Sequence, residues 1–490
     1  MTEEILINFT PMETRVAVVE NGVVQEVYLE REANRGRVGG IFKGKVVRVL
    51  PGMQAAFVEI GFERAAFIHV NDIYRAPPRT EEEPKPVPNI MSLVREGQEL
   101  VVQVIKDQIG SKGARLTTQL SIPSRYLVFM PYANHIGISQ RIDGEEERER
   151  LKGIIQNHLQ SDESKGGGII VRTVAEGVDE AALIHDLMFL EKLWVGVSEK
   201  IKNNSAVSVI HQDLPLYLRT IRDSVKDDVE KVKIDSLETY EKIIEFVREF
   251  IPEAEPKIEH YSGERPVFEL YGVEEEIQKA LGCQVQLKSG GYLVIDQTEA
   301  MTTVDVNTGA YVGHRNLEET IYKTNLEAAH SIARQLRLRN LGGIIIVDFI
   351  DMLEEEHRRQ VLRAFEKMLS RDHAKNKITQ VSELGLVEMT RKRTRESLER
   401  MMCEPCGVCG GKGFYKTAQT VCYELFREVM REARAYDADR YLVIASQEVV
   451  DRLLDEESAN VADLESYIGK TIKFQVESLY NQEQFDIVLL

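Results

Sequence analysis

Two aspartates at the ends of predicted strands form the arrangement best suited to metal-assisted chemistry. In TTVDVN, strand alternation places Asp305 and Asn307 on one face and Val306 on the other. Asp348 ends the apolar run IIIVD, where a buried sheet delivers residues to a ligand crevice. Two carboxylates from neighbouring strands beside an amide suit Mg²⁺, which also takes water and substrate phosphate oxygens. Such an ion would generate hydroxide and neutralise charge on a phosphoryl group.

Simpler roles remain open for each of these aspartates. An aspartate at a strand end often caps a helix or forms a salt bridge. Asp351 suits that role, because Asp351 and Glu354 have capping-box spacing before the next predicted helix. We therefore favour Asp348 as the ligand. Asp296 competes with Asp305, but its context, DQTEA, is typical of a turn.

A cysteine cluster, CEPCGVCGGKGF, predicts a structural zinc site. Cys406 and Cys409 form a C-x-x-C pair followed by Gly-x-Gly, and such glycines let backbone N–H groups approach thiolates. A closed zinc site needs four nitrogen or sulfur ligands, and this segment offers at most three. We therefore expect a second chain to supply the other pair. Cys403 and Cys406 have the same spacing, so the choice of pair stays open.

Two further groups could contact nucleic acid. Phe57 and Phe67 lie in predicted strands and could stack bases, although both could instead belong to a core. Arg172 and Thr173 follow a glycine run and the strand IIV, where a guanidinium and a hydroxyl could bind a phosphate, although a plain surface arginine is the alternative. The basic residues near the two phenylalanines in the sequence are Lys43, Lys45, Arg64 and Lys112.

The predicted elements that position these residues fall into distinct segments. Asn21-Gly22 predicts a hairpin in an N-terminal antiparallel meander. Between residues 36 and 122, five short strands with one long proline-rich break predict an OB-type barrel. The segment 279–400 has an α/β pattern, with a buried strand between helices predicted over Leu317–Leu338 and Leu353–Leu369.

Composition limits the class of protein. The chain has 490 residues, enough for about three domains. Its net charge of −18 argues against a nucleic-acid partner, but basic residues cluster locally, as in residues 35–49. Five cysteines are too few for a disulfide-rich secreted scaffold, and no run is long and apolar enough for a membrane helix. We expect a cytoplasmic protein without a membrane partner.

Several stretches together resemble one family. They are FKGKVVRV, AAFVEIGFERAAFI, GIIVRT, VIDQTEAMTTVDVNTG, NLEAAHSIARQLRLRNLGGIIIVDFIDM, GLVEMTRKR and the cysteine segment. They span nearly the whole chain, in one order, and are similar to the ribonuclease E/G family of bacterial endoribonucleases. The barrel stretch by itself resembles the S1-type RNA-binding domain. The chain has no long Arg- and Pro-rich C-terminal scaffold, so it is similar to the family's shorter type.

The resemblance implies an α/β multidomain fold. An RNase H-like subdomain would contain an inserted S1-type OB barrel and a 5′-sensor, followed by a DNase I-like catalytic subdomain, a zinc link and a small C-terminal dimerisation domain. The implied boundaries are 1–35 and 215–278 for the RNase H-like parts, 36–122 for the barrel, 123–214 for the sensor, 279–400 for the catalytic subdomain, 401–415 for the link and 416–490 for the C-terminal domain.

The resemblance also implies roles for individual residues. Asp305 and Asp348 match magnesium ligands, and Asn307 matches the supporting amide. The residues matching RNA-contacting positions are Phe57, Phe67 and Lys112, and those matching a 5′-monophosphate sensor are Val128, Arg172 and Thr173. Ser124 stands where the family can have glycine, and Cys403 is extra to the family's cysteine pair.

The implied activity is magnesium-dependent cleavage of single-stranded, A/U-rich RNA, leaving 5′-phosphate and 3′-hydroxyl ends. The implied substrates are rRNA precursors and mRNA, and the chain would assemble through Zn²⁺ as a dimer or a dimer of dimers. Two other classes stay open at this point. One is a non-catalytic RNA-binding protein, in which Asp305 and Asp348 are dispensable. The other is a DNase I-like phosphodiesterase, in which the barrel has no role.

Overall fold

The computed structural model describes residues 2–34, 37–74, 89–108, 113–142, 144–160, 167–225, 228–309, 317–382, 385–393 and 395–490. The chain divides into two compact units, Met1–Met401 and Met402–Leu490. Among the described residues, no helix combines the length and the apolar character needed to cross a membrane.

The first unit is built on strands from its whole length. In chain order they are β1 (Glu3–Phe9), β2 (Glu13–Glu20), β3 (Val23–Arg31), β4 (Ile41–Leu50), β5 (Ala55–Glu59), β6 (Ala66–His69), β7 (Glu99–Lys106), β8 (Arg115–Thr117), β9 (Ile122–Pro123), β10 (Leu127–Met130), β11 (Ile136–Ile138), β12 (Gly168–Val171), β13 (Ser208–His211), β14 (Val229–Ile234), β15 (Ile258–His260), β16 (Gln284–Gln286), β17 (Tyr292–Gln297), β18 (Met301–Asn307), β19 (Gly343–Asp348), β20 (Asn376–Val381) and β21 (Leu386–Arg391).

The helices up to the unit boundary are α1 (Ile90–Leu93), α2 (Glu145–Gln160), α3 (Glu180–Asn203), α4 (Leu216–Ser224), α5 (Leu237–Phe250), α6 (Val267–Leu270), α7 (Val273–Leu281), α8 (Leu317–Leu338), α9 (Glu355–Leu369) and α10 (Leu398–Met402). The second unit contains α11 (Ala418–Ala435), β22 (Arg440–Ala445), α12 (Gln447–Leu454), α13 (Ser458–Ile468), β23 (Thr471–Val476) and β24 (Phe485–Leu489).

The N-terminal meander and a distant segment form one sheet, in the order β15-β14-β1-β2-β3. Strands β1 to β3 are antiparallel, whereas β14 is parallel to β1 although more than 200 residues separate them. Asn21 and Gly22 both have positive φ, which confirms the predicted hairpin between β2 and β3. The sheet packs on α4 and α5 through a shared apolar core.

The predicted barrel is confirmed. Its five strands follow the order β4-β5-β6-β8-β7, and β7 pairs back to β4, which closes the sheet. Gly44 in β4 is required for this closure, because a Cβ there would lie 2.7 Å from Val58 Cγ1 and 2.9 Å from the Glu59 carbonyl oxygen. Strand β13 adds to β4 outside the closed ring. The fold is therefore a mixed α/β assembly with an OB-like barrel.

A third sheet, ordered β11-β12-β10-β9, packs against α2 and α3. A fourth, ordered β16-β17-β18-β19-β21-β20, packs one face against α8 and α9. The predicted bounds of α8 are confirmed, whereas α9 begins two residues later than predicted, at Glu355. In the second unit, β23-β22-β24 form a sheet whose core includes residues of α11, α12 and α13.

Helix α8 contacts the N-terminal sheet as well as the fourth sheet. Arg337 donates from Nε to Glu26 Oε1 at 2.9 Å and from Nη2 to Glu20 Oε1 at 2.8 Å. Although burial alone raises it, the pKa of Glu26 is lowered, because Arg337 and a hydrogen bond from Tyr28 favour the ionised form. All the members of this pairing are largely buried. These ion pairs therefore connect the N-terminal sheet to α8, the helix that packs on the fourth sheet.

We predict that Arg337→Met lowers the free energy of unfolding by about 3–5 kcal/mol, because it leaves two buried carboxylates without their cation. The measurement is urea denaturation, compared with Arg359→Met. Arg359 is exposed and pairs with Glu356 one turn away on α9, so its loss should cost less than about 1 kcal/mol. Equal costs for the two variants would contradict a stabilising role for the buried network.

Candidate functional site

Asp305 and Asp348 lie directly beside each other. Strands β18 and β19 are parallel, and their register pairs Asp305 with Asp348. Both carboxylates are on the exposed face of the fourth sheet, opposite the face that packs on α8 and α9. Asn307, two residues along the same face, donates from Nδ2 to Asp305 Oδ2 at 2.8 Å. The structure therefore brings together the two carboxylates and the amide singled out in the sequence.

The two carboxylates repel each other. The pKa of Asp348 is raised, first by partial desolvation and then by the negative charges of Asp305 and Asp351. Binding of a cation would relieve this repulsion and favour the ionised form. Carboxylate and amide oxygens are ligands for hard cations such as Mg²⁺, so the donor set fits. No cluster of three or more His, Cys, Asp or Glu side chains in the described residues is arranged to hold a metal, so water and phosphate oxygens would complete the shell.

The predicted capping box at Asp351 is wrong. Glu354 is the N-cap of α9 and makes no side-chain capping bond. Instead, Glu318 at the start of α8 accepts hydrogen bonds from the N–H groups of Leu353 and Glu354, at 3.1 and 3.2 Å, and contacts His357. These hydrogen bonds, led by that from the Glu354 N–H, lower the pKa of Glu318. The Asp351 carboxylate is exposed and adds to the negative charge around Asp348.

Asp296, considered as a rival to Asp305, lies within β17 and not in a turn. It pairs with Thr303 across the antiparallel strands. Its register therefore places it beside Thr303, whereas Asp305 is the residue beside Asp348.

The barrel presents an aromatic pair with flanking arginines. Phe57 and Phe67 are direct cross-strand partners, with ring centroids 6.2 Å apart in an edge-to-face arrangement. Both side chains are only partly buried, and neither belongs to the barrel core. The register continues the row on both sides, because Arg48 pairs with Phe57 and Arg115 pairs with Phe67. Direct cross-strand partners share a face of the sheet, so this surface has rings at its centre and arginines at its edges. Arg115 is paired with Asp72, to which its Nε and Nη2 donate at 3.0 and 3.2 Å.

The structure does not place Lys43 or Lys112, two of the basic residues noted in the sequence, in this row. Lys112 lies outside the described residues. The Lys43 Nζ donates to the carbonyl oxygens of Ile201 and Asn204 and lies 3.2 Å from a Glu99 oxygen. Lys43 therefore stabilises the barrel against the end of α3.

The residues that match a 5′-sensor by resemblance lie in the third sheet or directly after one of its strands. Val128 in β10 pairs with Ile170 in β12, and Arg172 follows the end of β12. The Arg172 Nη1 donates to the carbonyl oxygens of Ser124 and Arg125, at 2.6 and 3.2 Å.

An acidic partner also holds Arg172. Its Nη2 lies 2.8 Å from Asp223 Oδ1, and Arg222 contacts the same carboxylate. Although burial opposes this, the pKa of Asp223 is lowered by Arg222 and Arg172. The exposed Thr173 has its hydroxyl 2.9 Å from that of Ser139. An oriented guanidinium and a pair of hydroxyls therefore lie at the end of β12, on the consecutive residues Arg172 and Thr173 and on Ser139, which comes from a distant part of the sequence.

The cysteine segment in the second unit forms tight turns. The Gly410 N–H donates to the Cys406 carbonyl oxygen at 2.7 Å, and the Gly413 N–H lies 3.3 Å from Cys409 Sγ. Hydrogen bonds from the N–H groups of Cys409 and Val408, and from the Cys409 thiol, lower the pKa of Cys406. Gly410 and Gly413 both have positive φ, as the predicted turn requires. A lowered thiol pKa and N–H groups aimed at sulfur suit thiolate ligation.

Sequence reasoning missed several residues around these sites. Arg48 and Arg115 join the aromatic row only through strand register. Asp223 reaches Arg172 from α4, about 50 residues away along the chain. Local spacing carries no signal for any of these contacts, whereas the two strands of the aromatic pair were both predicted.

A closed OB-like barrel with an aromatic row and a sheet with paired carboxylates are features compatible with an enzyme that acts on nucleic acid. The Ribonuclease E/G family model matches residues 121–394. Over 496 residues, the chain is 55% identical to ribonuclease G of Escherichia coli strain K12, covering 100% of both chains. It is 51% identical to ribonuclease G of Haemophilus influenzae, covering 99% of each. It is 35% identical to ribonuclease E of Escherichia coli strain K12, over 95% of this chain and 44% of that protein.

The chain belongs to the ribonuclease E/G family and is more similar to these ribonucleases G than to that ribonuclease E. It is an endoribonuclease. The resemblance noted in the sequence is confirmed, and the two non-ribonuclease alternatives are not supported.

Proposed function

We propose that the chain is a magnesium-dependent endoribonuclease that cleaves single-stranded, A/U-rich RNA and leaves 5′-phosphate and 3′-hydroxyl ends. Its substrates would be rRNA precursors and mRNA, in the cytoplasm of a bacterium. The observation that carries the proposal is the in-register pairing of Asp305 with Asp348, with Asn307 hydrogen-bonded to Asp305. The seven-segment domain division, with RNase H-like and DNase I-like subdomains, is part of the same proposal.

Asp305 and Asp348 would hold Mg²⁺, and Asn307 would orient the Asp305 carboxylate through its 2.8 Å hydrogen bond. When bound, the ion supplies an activated water and neutralises charge on the scissile phosphate. The chain's own contribution is geometric, because parallel register fixes the spacing of the two carboxylates before substrate arrives. Their position on an exposed sheet face leaves room for an extended single strand.

The barrel would bind the RNA strand. Bases stack on exposed aromatic rings, with about 1–3 kcal/mol per base, and such stacking tolerates any sequence. Arg48 and Arg115 flank Phe57 and Phe67 at the positions where phosphates would run beside stacked bases. We therefore assign RNA binding to these four residues, and to Lys112 by resemblance alone.

Asp305→Asn and Asp348→Asn should each lower the cleavage rate by about 100-fold or more, because each removes a charge that holds the metal. RNA affinity, measured by fluorescence anisotropy, should change little. The assay is magnesium-dependent cleavage of a 5′-monophosphorylated oligoribonucleotide, with both product ends mapped. Asp296→Asn, on the neighbouring strand, is the matched control and should keep full activity. Normal activity in either ligand variant would refute the site.

We further propose that Arg172, Thr173 and Val128 sense a 5′-monophosphate. The contacts of Arg172 to Ser124, Arg125 and Asp223 use three of its five N–H groups, which leaves two for a terminal phosphate. Charge-assisted hydrogen bonds from a guanidinium to phosphate oxygens are strong and directional, so a pre-oriented guanidinium favours this end group. The hydroxyl of Thr173 would add a further donor.

Arg172→Ala should reduce the rate on 5′-monophosphorylated RNA to that on 5′-hydroxyl RNA, a loss of about 10- to 100-fold. The rate on 5′-hydroxyl RNA should not change. Arg150→Ala is the control, because Arg150 is an exposed arginine that pairs with Glu147 and should not affect end preference. Equal rates of the unmutated protein on both RNAs would show that it has no 5′-sensor.

Zinc would join two chains through Cys406 and Cys409. Each chain would contribute one C-x-x-C pair, and a two-fold axis would complete a tetrahedral thiolate site. Cys403 is exposed and competes for the same role. The assembly would be a dimer or a dimer of dimers.

Elemental analysis should find about 0.5 zinc per chain, since four thiolates from two chains close one site. The double variant Cys406→Ser/Cys409→Ser should lose both the zinc and the dimer, as judged by light scattering. Cys283→Ser changes an exposed cysteine outside the segment and should keep both. Cys403→Ser distinguishes the two possible pairs. One zinc per chain, or a dimer that persists without zinc, would rule out shared ligation.

A further inference from the structure

The backbone just beyond Asp348 is held by a buried amide. Asn325 in α8 is fully buried and makes two hydrogen bonds with Ile350. Its Nδ2 donates to the Ile350 carbonyl oxygen at 2.8 Å, and the Ile350 N–H donates to its Oδ1 at 3.1 Å. Strand β19 ends at Asp348, so Ile350 lies past the last residue of the strand. The amide thus pairs both backbone groups of a residue beyond the sheet.

The amide of asparagine satisfies both partners at this place. The side chain presents one donor and one acceptor at the spacing of a backbone peptide, which matches the C=O and N–H of a single residue. Aspartate keeps the acceptor and loses the donor, and an apolar residue loses both. Each unpaired buried backbone group costs about 1–3 kcal/mol, so the loop would move to find other partners.

A second side chain of α8 holds the other end of the same loop. Glu318 accepts hydrogen bonds from Leu353 and Glu354. The connection from Asp348 to α9 is therefore held at both ends by the helix behind the sheet. Asp348 is the last residue of the sheet ladder, paired with Asp305 on one side and with Leu386 on the other, and the Asn325 contact holds Ile350 two residues beyond it. The backbone that carries the Asp348 carboxylate is therefore fixed by the ladder up to Asp348 and by Asn325 two residues further on.

We propose that Asn325 is a positioning residue for Asp348, which it aims at the metal held with Asp305. This inference rests on the proposed function, because it takes Asp348 as a magnesium ligand. Outer-shell partners that orient metal ligands typically affect metal affinity or activity by about 10- to 100-fold when they are removed. Asn325 acts through the backbone and touches neither substrate nor metal.

The chain offers a matched control in Asn340. This asparagine is also buried, and its Nδ2 donates to the carbonyl oxygens of Arg395 and Glu396, at 3.0 and 2.9 Å. Asn340 follows the end of α8 and supports a segment that carries neither carboxylate. Asn325→Asp and Asn340→Asp make the same chemical change and each removes an N–H donor to backbone. Asn340 Oδ1 also accepts a hydrogen bond from Arg391 Nη1 at 3.4 Å, so the new carboxylate of Asn340→Asp lies beside a cation, and Asn340→Asp should destabilise the chain no more than Asn325→Asp does.

The first measurement is Mn²⁺ binding to the RNA-free protein by electron paramagnetic resonance. Asn325→Asp should weaken Mn²⁺ affinity by about 10-fold or more, whereas Asn340→Asp should leave it unchanged. The second is the magnesium concentration that gives half-maximal cleavage, which should rise in parallel, with KM for RNA and the 5′-end preference unaltered. Simple destabilisation lowers the active fraction and does not shift that midpoint.

The outcomes separate this inference from the function on which it rests. If Asp348→Asn has the same Mn²⁺ affinity and cleavage rate as the unmutated protein, the assignment of the metal site itself is wrong. If Asp348→Asn loses both while Asn325→Asp keeps normal affinity and midpoint, only the positioning role is wrong. Asn325→Ser, which also removes the amide, is the second variant if Asn325→Asp does not fold. Failure of both to fold while Asn340→Asp folds would make Asn325 a residue of the fold alone and overturn the proposal.

Discussion

The parallel pairing of β18 with β19 is the constraint on which the site depends. Two parallel strands need a crossover connection, and here the crossover contains α8, a helix of 22 residues. Because the strands run in the same direction, both reach the same edge of the sheet, and their register places Asp305 beside Asp348. An antiparallel pair could be joined by a short turn, but then the two strands would end at opposite edges. The crossover helix is thus a geometric requirement of the carboxylate pair.

Helix α8 is buried over much of its surface, and its residues make three kinds of contact. Small residues such as Ala328 and Ala329 let it approach the sheet closely, within the core that contains Val304 and Val347. Near its C-terminal end, Arg337 forms ion pairs with Glu20 and Glu26 of the N-terminal sheet. At its other end, Asn325 and Glu318 hold the loop after Asp348. One element therefore connects the support of the carboxylates to a sheet built from the first residues of the chain.

The two kinds of charged cluster in this unit have opposite electrostatic character. Arg337 and Glu26 are buried together, and the lowered pKa of Glu26 shows that its ionised form is favoured. The pKa of Asp348 is raised, first by partial desolvation and then by the negative charges of Asp305 and Asp351. In the first cluster the carboxylates have a cationic partner within the chain, whereas in the second the neighbouring charges of Asp348 disfavour its ionised form, a cost that the proposed cation would remove. Carboxyl groups whose surroundings disfavour their ionised form are typical of functional sites.

Local pattern was enough to predict much of this fold, and the exceptions share one cause. The bounds of α8, the five barrel strands and the shared face of Asp305 and Asn307 follow from periodicity within short segments. The capping box at Asp351 failed because Glu318, more than 30 residues upstream, takes that role. Contacts of this kind depend on which strands become neighbours, and side-chain spacing along one segment carries no information about it.

The aromatic row on the barrel shows what such neighbour relations add to function. Phe57 and Phe67 could have been core residues by sequence alone, and their exposure decides against that reading. Register then adds Arg48 and Arg115 to the same surface. A chain with net charge −18 repels polyanions over most of its surface, so binding of RNA has to be confined to places where cations outnumber carboxylates. The barrel row lowers that requirement, because stacking on Phe57 and Phe67 contributes affinity that does not depend on charge, and Arg48 and the Asp72-paired Arg115 need only offset the local repulsion.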